Sequence, residues 1–137
     1  MNEENERKKE LLKSYQKAKN DVRRLEKQLE ELRISKLSPS IIIDGMPHGT
    51  HIGDLSEYAA RVDEIEQEIK AARYKCICIF QRIRSQIESL EDNNEKDLLT
   101  YRYLKGESWE RVAVDLGYSW KHTHRIHARA LENFKMT

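Results

Sequence analysis

The chain has 137 residues, of which 36% are charged and 7% aromatic, with five glycines and two prolines. This length suffices for one domain, or for a small domain with an extended arm, and the composition favours long solvent-exposed helices. The formal net charge is only +1, so the chain as a whole is neither a basic nor an acidic protein. No apolar run approaches the roughly 20 residues of a membrane span and no signal-peptide pattern is present, which predicts a cytoplasmic protein without membrane contact.

The first predicted element is a long helix from Glu3 to about Ile34. Its apolar residues recur at intervals of four and three, as in a heptad repeat. They are Leu11, Tyr15, Ala18, Val22, Leu25, Leu29 and Leu32. So narrow a stripe needs a partner helix to bury it. The charges between these residues alternate in sign, which is typical of a solvated helix face.

The helical pattern stops over residues 35–56, which contain both prolines and are rich in glycine. The run Ile41–Ile43 is too apolar for a linker that makes no contacts. It could fold back onto the helices, form a short strand or make a contact surface. His48 and His51 lack companion ligands with suitable spacing, so we expect no metal there.

A second long helix is predicted from a cap at Asp54 or Ser56 to about residue 91. Its apolar residues again step by three and four: Tyr58, Val62, Ile65, Ile69, Ala72, Cys76, Ile79, Ile83, Ile87 and Leu90. The two stripes predict an antiparallel helical hairpin through which the protein forms a homo-oligomer. At about 1.5 Å per residue the second helix is the longer one, which leaves residues 81–90 free to reach the C-terminal part or another subunit. Cys76 and Cys78 lie on different helix faces and are not expected to form a disulfide.

After a polar break at residues 91–94, a new helix is predicted to start near Glu95 and to end at Lys105–Gly106. Ser108 is suited to cap the next helix, and Gly117 permits a left-handed turn after it. Ser119 is suited to cap the last helix. The residues expected to face the core are Trp109, Val112, Ala113 and Leu116 on the first of these two helices, and Thr123, Ile126, Ala130 and Phe134 on the last. This spacing is a helix-turn-helix pattern, for which the alternative is an ordinary helical corner.

Positive charge concentrates on the last helix, where four lysines and arginines of residues 119–135 oppose one glutamate. Arg125 could read guanine with a bidentate fork, while Lys121 and Arg129 are better placed for phosphates. Trp120 has two interpretations, contact with a sugar or a thymine methyl group, or packing against Tyr118. The predicted DNA-binding residues are Ser119, Trp120, Lys121, His124, Arg125, Ala128 and Arg129.

His122, His124 and His127 suggest a metal site at first sight. Only His124 and His127 share a helix face, and a third ligand is missing, so phosphate contact or packing is the preferred interpretation. The sequence also offers no paired carboxylates, no activated nucleophile and no phosphate-binding glycine loop. We therefore expect neither an enzyme nor a cofactor.

Residues 98–131 resemble region 4 of sigma-70-type transcription factors, through Tyr101–Tyr103, Gly106, Trp109–Ala113, Leu116–Ser119 and Arg129–Leu131. More of the chain is similar to the small phage-encoded regulators of the RinA and ArpU kind, through the loop Asp44–Gly49, the long helix after it and Arg125–His127. This resemblance implies a DNA-binding activator of phage late genes that acts with host RNA polymerase in the bacterial cytoplasm. Thr123, His122 and His124 depart from similar sequences.

The sequence thus predicts an all-α protein in which a coiled-coil-like antiparallel hairpin, residues 1–92, precedes a small helix-turn-helix domain, residues 93–137. In the first hypothesis the protein is a sequence-specific transcription regulator that binds double-stranded DNA. In the second it is a structural or DNA-packaging factor, similar to a small terminase subunit, that binds most duplexes alike.

Overall fold

A computed structural model describes residues 3–37 and 51–136, except for the side chains of residues 37 and 51–54. These residues form five α-helices: α1 (Glu3–Leu37), α2 (His51–Glu88), α3 (Asn93–Leu99), α4 (Trp109–Leu116) and α5 (Trp120–Asn133). A π-helical turn, Thr100–Leu104, follows α3 directly. The described part of the chain is all-helical and contains no strand, in agreement with the predicted class. None of its helices is both long and apolar enough to cross a membrane.

The long helices extend further than predicted. Residues 35–37 belong to α1 and residues 51–56 to α2, although both segments were expected in the loop. A single glycine such as Gly53 costs a helix only about 1 kcal/mol, and both prolines lie before residue 51, so nothing in the sequence prevents this earlier start. The predictions for residues 41–48 lie outside the described residues.

The chain divides into two compact units. One, here called the hairpin unit, is Lys19–Tyr74, and the other, the core unit, is Met1–Ala18 with Lys75–Thr137. In the hairpin unit, α1 and α2 pair antiparallel, since Arg33 bonds to Glu66 at 3.2 Å while Arg73 bonds back to Glu26. Leu29 and Ile69, both predicted stripe residues, are buried in this pair.

The core unit holds the main hydrophobic core, to which every helix contributes. Its least exposed side chains are Leu12, Ile83, Ile87, Leu98, Leu99, Val112, Ile126, Ala130 and Phe134. Three residues of the stripe predicted for the second long helix, Ile83, Ile87 and Leu90, are buried in this core, as predicted. On α1 the fully buried leucine is Leu12, whereas the predicted Leu11 is only partly buried. A stripe that faces several short helices need not follow the strict a/d spacing of a two-helix seam.

The polar break before α3 is a helix cap. The Asp92 carboxylate accepts hydrogen bonds from the backbone N–H groups of Asn94, at 2.7 Å, and Glu95, at 3.3 Å. α3 thus begins two residues before the predicted start at Glu95. Gly106, at φ +71°, provides the left-handed backbone predicted at the end of this segment.

Candidate nucleic-acid interface

α4 is a short helix with a defined start and end. The Ser108 hydroxyl accepts a hydrogen bond from the backbone N–H of Arg111 at 3.2 Å, which confirms the predicted simple cap. Val112 is fully buried. The helix ends at Gly117, whose φ of +76° is left-handed, and the N–H groups of Gly117 and Tyr118 both bond to the Ala113 carbonyl. The chain therefore turns within three residues and enters α5.

α5 also starts and packs as predicted. The Ser119 hydroxyl accepts a hydrogen bond from the backbone N–H of His122 at 3.1 Å. The four residues expected to face the core are all buried: Thr123, Ile126, Ala130 and Phe134. The Thr123 hydroxyl donates to the Ser119 carbonyl at 2.8 Å, so this polar group is satisfied inside the core. The rotation of α5 about its own axis is thereby fixed.

The opposite face of α5 is exposed at six of the seven predicted positions: Ser119, Trp120, Lys121, Arg125, Ala128 and Arg129. His124 is the exception, because it is only partly exposed and its ring contacts two indole rings. His124 was predicted to face outward because, by helical spacing, it shares a face with Trp120 and Ala128. Its exposure is reduced because Trp109 and Trp120 both pack on its ring.

Three cations of this face share an unusual arrangement. Lys121, Arg125 and Arg129 stand four residues apart, so they are neighbours along one helix stripe. Within the described part of the chain, none of the three forms an ion pair or a side-chain hydrogen bond. Some other surface arginines pair with carboxylates, as Arg24 does with Asp21 at 2.8 Å and Arg111 with Asp115 at 3.4 Å. The three unpaired cations therefore form a positive surface, here called the cationic stripe.

A stack of four side chains joins the π-helical turn to the start of α5. The Arg102 guanidinium lies 4.6 Å from the Trp109 ring, and the Trp109 ring lies 4.5 Å from His124. His124 in turn contacts Trp120, with 3.9 Å between ring centroids. The packing interpretation of Trp120 named Tyr118 as its partner, but Tyr118 instead packs on His122. Trp120 is thus supported by His124 on one side while 57% of its surface stays exposed.

His127 belongs to the core. A 2.8 Å hydrogen bond joins its Nε2 to the Tyr103 hydroxyl, and Trp109 packs on its ring at 4.6 Å. Burial lowers the pKa of His127 to about 4, helped by the nearby positive charges of Lys9 and Arg102. Burial also raises the pKa of Tyr103 to about 12. The pair is therefore a neutral hydrogen-bonded pair at physiological pH.

The packing interpretation of the α5 histidines agrees with these contacts, for the rings of His122, His124 and His127 each pack on an aromatic neighbour. Among the described residues, no group of three or more His, Cys, Asp or Glu side chains is arranged to hold a metal ion.

The sequence did not predict the role of Lys8, a residue of α1 whose side chain contacts the C-terminal end of α5. Its side chain is buried, and Nζ donates to the carbonyl oxygens of Leu131 at 2.7 Å and Glu132 at 3.3 Å. A lysine in an alternating charge pattern gives no local signal for such a role. The contact orients α5 relative to the first turns of α1 within the core unit.

The exposed face of α5 is accordingly defined by a capped start, a buried opposite side, a cationic stripe and an aromatic residue at the first helical position. The resemblance to RinA- and ArpU-like regulators and to sigma-70 region 4 stays a prediction. Comparisons with protein-family models, with curated proteins and with solved structures found no significant match to this chain.

Proposed function

We propose that the protein is a phage or prophage transcription regulator that binds double-stranded DNA in a sequence-specific manner. In this proposal α4 and α5 form a helix-turn-helix and α5 is the reading helix. The observation that carries it is the cationic stripe, Lys121, Arg125 and Arg129, which has no carboxylate partner among the described residues.

Such a stripe is unfavourable for the isolated protein. Like charges four residues apart destabilise a helix by about 0.2 to 0.5 kcal/mol per pair, and α5 has two such pairs in succession. A polyanion removes this repulsion and gains from the release of its own counterions. The major groove of B-DNA is wide enough to admit an α-helix. Binding to duplex DNA would therefore relieve the repulsion between the cations of this exposed helix.

The predicted roles of single residues follow from their positions. Arg125 lies in the exposed first half of α5, where helix-turn-helix proteins place base-reading side chains. Lys121 and Arg129 flank it by one helical turn on either side and are assigned to phosphates. Ser119 already accepts the capping hydrogen bond, so its hydroxyl hydrogen is the group left for a phosphate oxygen. His124 is reassigned from a DNA contact to the support of Trp120.

The biological role within this proposal is the activation of phage late genes together with host RNA polymerase, and it is supported by the resemblance alone. The alternative is a DNA-packaging factor with nonspecific binding. The two differ in whether α5 distinguishes base sequences.

Selection from a random duplex pool tests the proposal. The protein is immobilised, bound fragments are recovered through several rounds, and their sequences are determined. We expect an enriched motif. Retention without an enriched motif would favour the packaging factor, and no retention above background would refute both functions.

A matched pair of variants shows whether α5 is responsible. The first variant replaces Lys121, Arg125 and Arg129 by glutamine. The control replaces three exposed cations of the long helices, Lys13, Lys27 and Arg84, by glutamine, so that the net charge changes equally. We expect the first variant to lose duplex binding and the control to retain it. Equal loss in both would show that net charge, and not α5, drives binding.

A further inference from the structure

We infer that Trp120 is a specificity-determining residue that packs on a thymine methyl group in the major groove. This inference rests on the proposed function and names one feature of the DNA that the same face recognises. It starts from an exposed indole at the first residue of α5, beside the cationic stripe.

Trp120 is exposed without being loosely held. The His124 ring contacts the Trp120 ring at a tilt, with 3.9 Å between ring centroids, and His124 in turn contacts Trp109 at 4.5 Å. Arg102 lies on the same indole of Trp109 and also donates to the Glu107 carbonyl at 2.8 Å. The stack therefore presents a large apolar surface in a fixed place, which reduces the entropy lost on binding.

The exposed part of this ring lies outside the hydrophobic core. Trp120 does not belong to the hydrophobic cluster of that unit, nor does it line the cluster as Trp109 does. An exposed indole next to cations suits a ligand that is anionic outside and apolar at specific points. Duplex DNA is such a ligand, because phosphates surround a groove in which thymine alone carries a methyl group.

Two other contacts are less suited to this geometry. Stacking on an extruded base requires unpairing, at a cost of a few kcal/mol. Contact with a deoxyribose would bury the same indole without reading sequence, and the experiment below separates it from the methyl contact.

The experiment uses the full chain and the site enriched from the random pool. Each thymine of that site is replaced in turn by deoxyuridine, which removes only the methyl group. For the native protein we expect one replacement to lower affinity about fourfold, since one buried methyl group contributes about 0.8 kcal/mol. For Trp120→Ala we expect weaker binding overall and no further loss at that same position.

Val114→Ala serves as the matched control, because Val114 is an apolar side chain of α4 that is 73% exposed and lies outside the proposed face. It should keep the native response to deoxyuridine. Circular dichroism melting of each variant verifies the fold.

Three results would overturn the inference while leaving the proposed function intact. They are a selected site without thymine, a native protein indifferent to every deoxyuridine, and a Trp120→Ala variant with the native deoxyuridine response. Failure to select any duplex would overturn the proposed function and the inference together.

Discussion

The Nζ of Lys8 and the carbonyl oxygen of Leu131 are 2.7 Å apart, although 123 positions separate the two residues in sequence. The last carbonyls of a helix lack intrahelical partners and carry partial negative charge. The buried ammonium group satisfies two of them at the end of α5 and also lies 3.8 Å from the Glu4 carboxylate. Lys8, near the start of α1, thus caps the C-terminal end of the proposed reading helix.

Replacing Lys8 by methionine should therefore destabilise the protein. The methionine retains most of the apolar stem but leaves the two carbonyls without their donor, and hydrogen bonds to charged groups contribute about 1.5 to 3 kcal/mol. We expect the free energy of unfolding to fall by about that amount in urea denaturation.

Lys13→Met is the control for this change, since Lys13 is an exposed lysine of the same helix. Exposed substitutions of this kind usually stay within about 0.5 kcal/mol. Equal effects of the two variants would contradict a structural role for Lys8.

The neutral state of His127 predicts a pH dependence of stability. Its folded pKa of about 4 lies below the ordinary value of 6.5, so protons bind the unfolded chain more tightly. The contribution of neutral His127 to the free energy of unfolding is complete above pH 6.5 and is lost as the pH falls towards 4. By linkage, this residue should remove about 2 kcal/mol of stability between pH 7 and pH 5.

The variant His127→Gln isolates this contribution, because glutamine is polar, does not titrate and can bond to Tyr103. Urea titrations at pH 7 and pH 5 should show a smaller loss in the variant than in the native protein. His122→Gln, on the same helix, should keep the native difference. A native difference in His127→Gln would assign the acid sensitivity to other groups.

The proposed roles of Arg125 and Lys121 predict different binding defects. Arg125→Ala should weaken binding to the selected site by about 1 to 3 kcal/mol and relax the preference for one base pair. Lys121→Ala should weaken binding to all duplexes alike and lower the slope of log affinity against log salt by about 1. Fluorescence anisotropy at four salt concentrations measures both. An identical pattern in the two variants would refute the division into base-reading and phosphate-binding residues.

The exposed apolar side chains of the hairpin unit predict that the protein self-associates with a second copy of the chain. Ile34, Leu55 and Tyr74 are more than half exposed on it. The hairpin unit also carries charges of both signs, such as Arg33, Glu66, Lys70 and Arg73, which suits a second copy of the same surface.

Light scattering at increasing concentration should show a mass above 16.3 kDa. The double replacement of Ile34 and Tyr74 by glutamine should lower that mass, whereas Val114→Gln on α4 should not. A native protein that stays monomeric at high concentration would rule this interface out.

The sequence predicted those features of the core unit that depend on neighbouring residues. The caps at Ser108 and Ser119 and the left-handed Gly117 were correct because each depends on one short-range hydrogen bond or one backbone angle. The buried side of α5 was also correct, since four residues at helical spacing define a face.

Features that depend on distant parts of the chain were missed or misplaced. Lys8 is buried because the end of α5 lies beside it, and His124 is half-buried because Trp109 comes from another helix. The choice of Leu12 over Leu11 likewise depends on which helices surround α1. Periodicity along one helix carries no information about these partners.

The contact between Lys8 and Leu131 also bears on the order in which the protein folds. During synthesis the hairpin unit has its pairing residues as soon as Tyr74 has left the ribosome. The core unit must wait until residue 131 has been added, at about 5 to 20 residues per second. Residues 1–18 therefore spend several seconds without their native neighbours, with Leu12 and the stem of Lys8 exposed. Contacts between such distant positions also slow the folding step itself. The proposed reading helix is thus translated after the other four helices and completes the core.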